Sequence, residues 1–114
     1  MLTLESLKAA GADTDDGMSR CMNNEAFYLR LVKMALADAN FDRLSEALTA
    51  QDYAAAFESA HALKGMLGNV SLTSLADPVV RMTEALRPGL PADVGEDLSL
   101  MQAELAKYRA LCEE

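Results

Sequence analysis

The stretch from Asp52 to Val70 limits the possible folds of this chain more than any other. It contains no proline, nothing in it alternates with a period of two, and its apolar residues recur at helical spacing. Projected at about 100° per residue, Ala56, Ser59, Leu63, Leu67 and Val70 share one face. His61, the only histidine in the sequence, falls on the opposite face. Ala54 and Gly68 lie about 20° from it, Phe57 and Gly65 about 40° and Lys64 about 60°. A helix patterned in this way buries one side on neighbouring elements and turns His61 toward water or a partner.

The flanking sequence supplies those neighbours. Asp52 is the expected N-cap of the histidine helix, after a tight connection at Gln51. Upstream, the spacing predicts a short helix from Thr3 to Ala10, with Thr3 as its N-cap and Gly11 as its stop, and a second helical piece from Asp15 to Met22. Asn24 then caps a longer helix over Glu25 to about Ala39, with Phe27, Leu31, Met34 and Ala35 as its apolar side. Asn40 is expected to cap a helix over Phe41 to Ala50. Downstream, Thr73 or Ser74 is expected to cap a helix to about Arg87, and Pro78 predicts a kink or a restart capped by Asp77. Pro88, Gly89 and Pro91 mark a loop, and Ala92 to Cys112 reads as the last helix, with Leu98, Met101, Leu105, Tyr108 and Leu111 at helical spacing. Short links between successive helices imply antiparallel neighbours. The expected fold is all-α: an up-and-down antiparallel four-helix bundle with short additional N-terminal helices, forming a single domain over residues 1–114.

Composition narrows the function. Ten basic against eighteen acidic residues give a net charge of −8, which argues against nucleic acid or an anionic membrane as partner. Cys21 and Cys112 fit neither a CxxC redox motif nor a zinc site, and are expected as buried or half-buried thiols in a reducing compartment. No signal-peptide pattern or membrane-length apolar run is visible, so the expected location is cytoplasmic.

Two glycines in mid-helix each cost about 1 kcal/mol relative to alanine. Both Gly65 and Gly68 flank the exposed histidine, where the lack of a side chain leaves the surface open to approach. A neutral imidazole is a nucleophile, and the Lys64 ammonium one turn away can balance negative charge arriving on it. A phosphoryl group is the anion that suits this arrangement.

The run AHALKGMLGNVSL resembles the signature of histidine-containing phosphotransfer (HPt) domains, through His61, Leu63, Lys64, Gly65, Gly68 and Asn69. The segments Gly17 to Leu36 and Phe41 to Leu48 are also similar to helices of that family, so the likeness covers nearly the whole chain. It implies a helix bundle and a phosphorelay intermediate of a two-component system. His61 would accept a phosphoryl group at Nε2 from a receiver-domain phosphoaspartate and pass it to, or back to, another receiver. Lys64 would stabilise the phosphoryl charge, while Gly65, Gly68, Phe57 and Ala54 would form the receiver-facing surface. The partners implied are receiver domains of response regulators or hybrid kinases, with the protein acting as a monomer. No cofactor or metal site is implied on this chain, since Mg²⁺ belongs to the receiver.

Two positions depart from the family pattern. Ser71 stands where many members have glycine, and Met66 where many have a small residue. On the helical projection both point away from His61, so they bear on packing or partner choice rather than on phosphorylation. Glu58 either orients the ring through Nδ1 or is a solvated surface acid. The main alternative function is a helical docking module that binds receivers without being phosphorylated. Autokinase activity is not expected, because Ala62 rather than an acidic residue follows the histidine and no Gly-rich nucleotide site is present. A lone histidine also cannot assemble a hydrolytic metal centre.

Overall fold

Each helix begins where a side chain can accept one of the orphan N–H groups of its first turn, or where the chain reverses tightly. The computed structural model describes residues Met1–Glu113; Glu114, the last residue of the expected 1–114 domain, lies outside them. Among the described residues seven helices follow one another: α1 (Leu4–Ala10), α2 (Thr14–Arg20), α3 (Glu25–Leu36), α4 (Asn40–Thr49), α5 (Tyr53–Asn69), α6 (Thr73–Leu86) and α7 (Gly95–Cys112). No strand occurs among the described residues. Thr3 and Ser6 form a reciprocal capping box on α1. The carboxylate or amide oxygens of Asp13, Asn24 and Asp52 accept backbone N–H groups at the starts of α2, α3 and α5.

Successive long helices pack on one another: α4 on α5, α5 on α6 and α6 on α7, with α1 and α3 laid against α7. This is the up-and-down bundle with short N-terminal additions that the link lengths implied. A single apolar cluster runs through it from Leu7 to Tyr108, and its fully buried side chains include Leu44, Leu63, Leu67, Leu75, Met82 and Met101. The described residues contain no buried side-chain nitrogen or oxygen without a hydrogen-bond partner.

Several local expectations are corrected. The buried face of α3 is Tyr28, Val32, Ala35 and Leu36, rather than Phe27, Leu31 and Met34; Met34 is 63% exposed. Asn40 lies inside α4 and does not cap it; its N–H donates to Asp38 Oδ1 at 2.7 Å. The N-cap of α6 is Leu72, without a side-chain bond. Ser74 Oγ is committed elsewhere, lying 3.1 Å from the Ala10 carbonyl, 3.0 Å from Glu104 Oε2 and 2.8 Å from the Tyr108 hydroxyl. The helix also continues through Pro78, which is buried in it, without the restart at Asp77. Proline there removes only one backbone donor, a loss that packing of the buried face absorbs. The loop ahead of α7 extends to Val94, so the last helix starts three residues later than its apolar spacing suggested.

Candidate functional site

The sequence pattern of α5 divides the helix cleanly. Ala56, Ser59, Ala60, Leu63 and Leu67 are buried against α4 and α6, whereas His61, Gly65 and Gly68 are exposed. Both ends are tied down. Asp52 Oδ1 accepts the Ala55 N–H at 3.1 Å. At the far end, the Tyr28 hydroxyl donates to the Val70 carbonyl at 2.8 Å. Burial pushes the Tyr28 hydroxyl pKa up to about 12, so it remains a donor at any ordinary pH.

The end of α5 also explains the first departure from the family pattern. Ser71 N–H bonds to the Gly68 carbonyl and Leu72 N–H to the Leu67 carbonyl, the paired bonds of a Schellman turn. The residue after the C-cap must then take the left-handed conformation, which glycine adopts at least cost. Here Ser71 adopts it, with φ +56°. Its position is therefore set by the turn and not by a helical projection. Ser71 is buried, donates from Oγ to Asp16 Oδ2 at 2.5 Å, and accepts the Asp13 N–H at its carbonyl at 2.9 Å. These bonds hold α2 to the end of the histidine helix. Met66, the second departure, is half-buried and lines a groove between α3 and α5 with Leu31 and Met34.

Gly65 and Gly68 have ordinary helical backbones, and a Cβ built on either meets no atom within 4 Å. Neither close packing nor backbone conformation within the chain requires them to be glycine. Phe57, half-buried one turn before His61, stacks on the imidazole with ring centroids 5.6 Å apart and an interplanar angle of 19°. Ala54 is exposed on the same face. Glu58 is exposed as well, and no hydrogen bond joins it to the ring among the described residues.

Lys64 leans toward α6, where its Nζ lies 3.7 Å from Glu84 Oε1. The same carboxylate receives Arg87, from Nη2 to Oε1 at 2.8 Å and from Nε to Oε2 at 3.3 Å. The Arg87 hydrogen bond, reinforced by its charge and by that of Lys64, holds the Glu84 carboxyl below its usual range; Glu84 in turn raises Arg87. The guanidinium carbon of Arg87 stands 5.4 Å from the centroid of the Phe57 ring that stacks on His61. The residues singled out by the sequence, His61, Lys64, Phe57, Ala54 and both glycines, lie on one side of α5; His61, Ala54 and the glycines are exposed, and Lys64 and Phe57 are half-buried. Glu84 and Arg87, which stand beside them, were not singled out, because nothing local announces which turn of α6 lies beside His61. The only available signal was a charged pair at i, i+3 ahead of the Pro88 loop.

The arrangement provides an accessible imidazole, a stacked ring that restricts its orientation, two cations on one carboxylate, and a surface cleared of side chains. No three His, Cys, Asp or Glu side chains cluster as a metal site among the described residues. No curated protein sequence and no solved structure matches the chain. The family model for the Hpt domain matches residues 32–111, from within α3 to the last turn of α7. The protein belongs to the Hpt domain family, whose members carry phosphoryl groups on histidine in two-component signalling and interact with receiver domains.

Proposed function

We propose that His61 is the phosphoryl acceptor of a phosphorelay intermediate, charged by a receiver-domain phosphoaspartate and discharged to, or back to, another receiver. The observation that carries this reading is that the only histidine of a histidine-phosphotransfer domain stands exposed beside two glycines that the chain itself does not need. In the reaction, the lone pair on unprotonated Nε2 attacks phosphorus while the proton resides on Nδ1. The N–P bond forms as the P–O bond of the acyl phosphate breaks, and the aspartate leaves as a carboxylate with the electron pair. Such transfers depend on in-line positioning and charge neutralisation more than on covalent chemistry from the protein. Lys64 supplies charge, and Gly65, Gly68, Ala54 and Phe57 offer the receiver-facing surface.

The chain acts as a carrier, without autokinase activity, and Mg²⁺ is held by the receiver. Residues 1–114 work as one monomeric domain; the continuous apolar cluster from α1 to α7 supports that unit. The proposed location is cytoplasmic, and no described helix is long and apolar enough to cross a membrane. The net charge of −8 disfavours nucleic acid as a partner.

The test is phosphotransfer from a labelled receiver to the wild type and to His61→Gln. The wild type is expected to gain an acid-labile, base-stable label and the variant none. Failure of every cognate receiver to label the wild type, or equal labelling of both proteins, would overturn the proposal.

A further inference from the structure

Lys64 is the cation that the motif supplies, but α6 brings a second one to the same corner. Arg87 lies at the end of α6, makes a two-pronged contact with Glu84, and rests over the Phe57 ring that stacks on His61. The two ring contacts, at 5.4 and 5.6 Å, bound the distance from guanidinium to imidazole by their sum. A phosphoryl group on the imidazole would project its oxygens beyond the ring, into the range of a long flexible side chain. Arg87 is half exposed, as is Glu84, so neither is locked in the core.

The local charge count gives the arrangement a direction. Glu84 is one anion shared by two cations, Lys64 at 3.7 Å and Arg87 at 2.8 Å. Before transfer the carboxylate holds both cations beside the imidazole. A phosphoryl group arrives with close to two negative charges and competes with Glu84 for both of them. Exposed ion pairs contribute little net stability, so exchanging one partner for another costs little. A planar guanidinium can also offer paired N–H donors to phosphoryl oxygens, which an ammonium cannot.

We propose that Arg87 is a second phosphoryl-binding residue, parked on Glu84 and stacked on Phe57 until the group reaches His61, and that Glu84 is its competing anion. This rests on His61 being the acceptor. It assigns opposite effects to two residues that form one ion pair. Loss of Arg87 weakens the phosphorylated state, whereas neutralising Glu84 frees Lys64 and Arg87 and strengthens it.

Potassium phosphoramidate is the suitable probe, because it isolates the site from receiver docking. Its P–N bond breaks as the His61 N–P bond forms, and ammonia leaves with the bonding pair. Phosphohistidine formation rate and lifetime are measured for the wild type, Arg87→Ala, Arg87→Lys and Glu84→Gln, with circular dichroism to establish that each is folded. Arg87→Ala is expected to lower the rate or the lifetime about threefold to tenfold, the scale of one exposed cation acting on an anion. Arg87→Lys should recover part of the loss, and Glu84→Gln should exceed the wild type. A purely structural ion pair would make Glu84→Gln fall together with Arg87→Ala. That outcome overturns the inference, as does an Arg87→Ala variant equal to the wild type. If the wild type takes label at His61 and only these patterns fail, the relay reading stands without the Arg87 role. If His61 takes label from neither phosphoramidate nor a phosphorylated receiver, both readings fall.

Discussion

The two ends of the molecule use glycine for opposite reasons. At the N-terminal end, Gly11 closes α1 with φ +113°, and a Cβ there would lie 2.6 Å from Ser74 Oγ. Gly17 sits in α2 under the buried ring of Tyr28, where a Cβ would stand 2.6 Å from the hydroxyl oxygen. Both are demanded by their own chain. On α5, Gly65 and Gly68 have ordinary helical conformations and open space in front of them. Removing a side chain from an exposed helix position costs about 1 kcal/mol and gains nothing inside the fold. The contrast separates glycines that the fold requires from glycines that it does not. Only the second kind lies beside the histidine.

The comparison breaks most readily at Gly17. Gly17→Ala gains up to about 1 kcal/mol of helix propensity, but must displace a buried aromatic ring, and overpacking of this kind costs about 1–3 kcal/mol. The ring has little freedom to move, because its hydroxyl is bonded to the Val70 carbonyl at the end of α5. A net loss of up to about 2 kcal/mol is expected in urea unfolding. A more stable Gly17→Ala would show that the Tyr28 ring yields easily and that this glycine is not packing-bound.

Gly68 should respond with the opposite sign. Gly68→Ala is expected to raise stability by up to about 1 kcal/mol, since its methyl group meets nothing. Gly68→Leu should leave the fold and phosphoramidate labelling intact while slowing transfer from a receiver by about tenfold, equivalent to about 1.4 kcal/mol in the barrier. Parallel loss of helicity and of transfer in Gly68→Leu would mean that position 68 is part of the core after all.

This difference was half visible in the sequence. The helical projection put Gly65 and Gly68 beside His61 and set Leu63 and Leu67 opposite, and both faces lie where periodicity put them. Caps were equally legible at Thr3, Asn24 and Asp52, because a cap depends only on residues within one turn. The buried face of α3 was not. Phe27–Leu31–Met34 and Tyr28–Val32–Ala35 are both apolar stripes at helical spacing, and periodicity has no means of ranking them. The choice is made by contacts distant in sequence: the space above Gly17 and the Val70 carbonyl admit Tyr28. Glu84 and Arg87 escaped notice for the same reason, since the register of α6 against α5 is tertiary. Residues that touch their own helix are readable from spacing, and residues brought beside them by another helix are not.

Ser71 provides the finest test, because it stands between the two regions and belongs to the first. It occupies a left-handed turn position that favours glycine, and its hydroxyl bond to Asp16 ties α2 to the end of α5. That bond, followed by the one from Arg20, holds the Asp16 carboxyl below its ordinary pKa. A carboxylate with a lowered folded pKa adds stability that is fully present above its unfolded pKa and is lost as pH falls through the folded value. Ser71→Ala removes the leading cause of the shift while keeping a non-glycine residue at the left-handed position. Its deficit relative to the wild type should therefore be greatest near neutral pH and narrow below about pH 4. Ser71→Gly loses the same bond but relieves the backbone, and should be the more stable of the two variants throughout. Thermal unfolding of the three proteins between pH 3 and pH 7 distinguishes these effects. A deficit in Ser71→Ala that stays constant with pH would show that the hydroxyl acts through packing of the turn and not through Asp16. Transfer from a receiver should be unchanged in both variants, since Ser71 is buried behind the end of α5 while His61, Gly65 and Gly68 face outward.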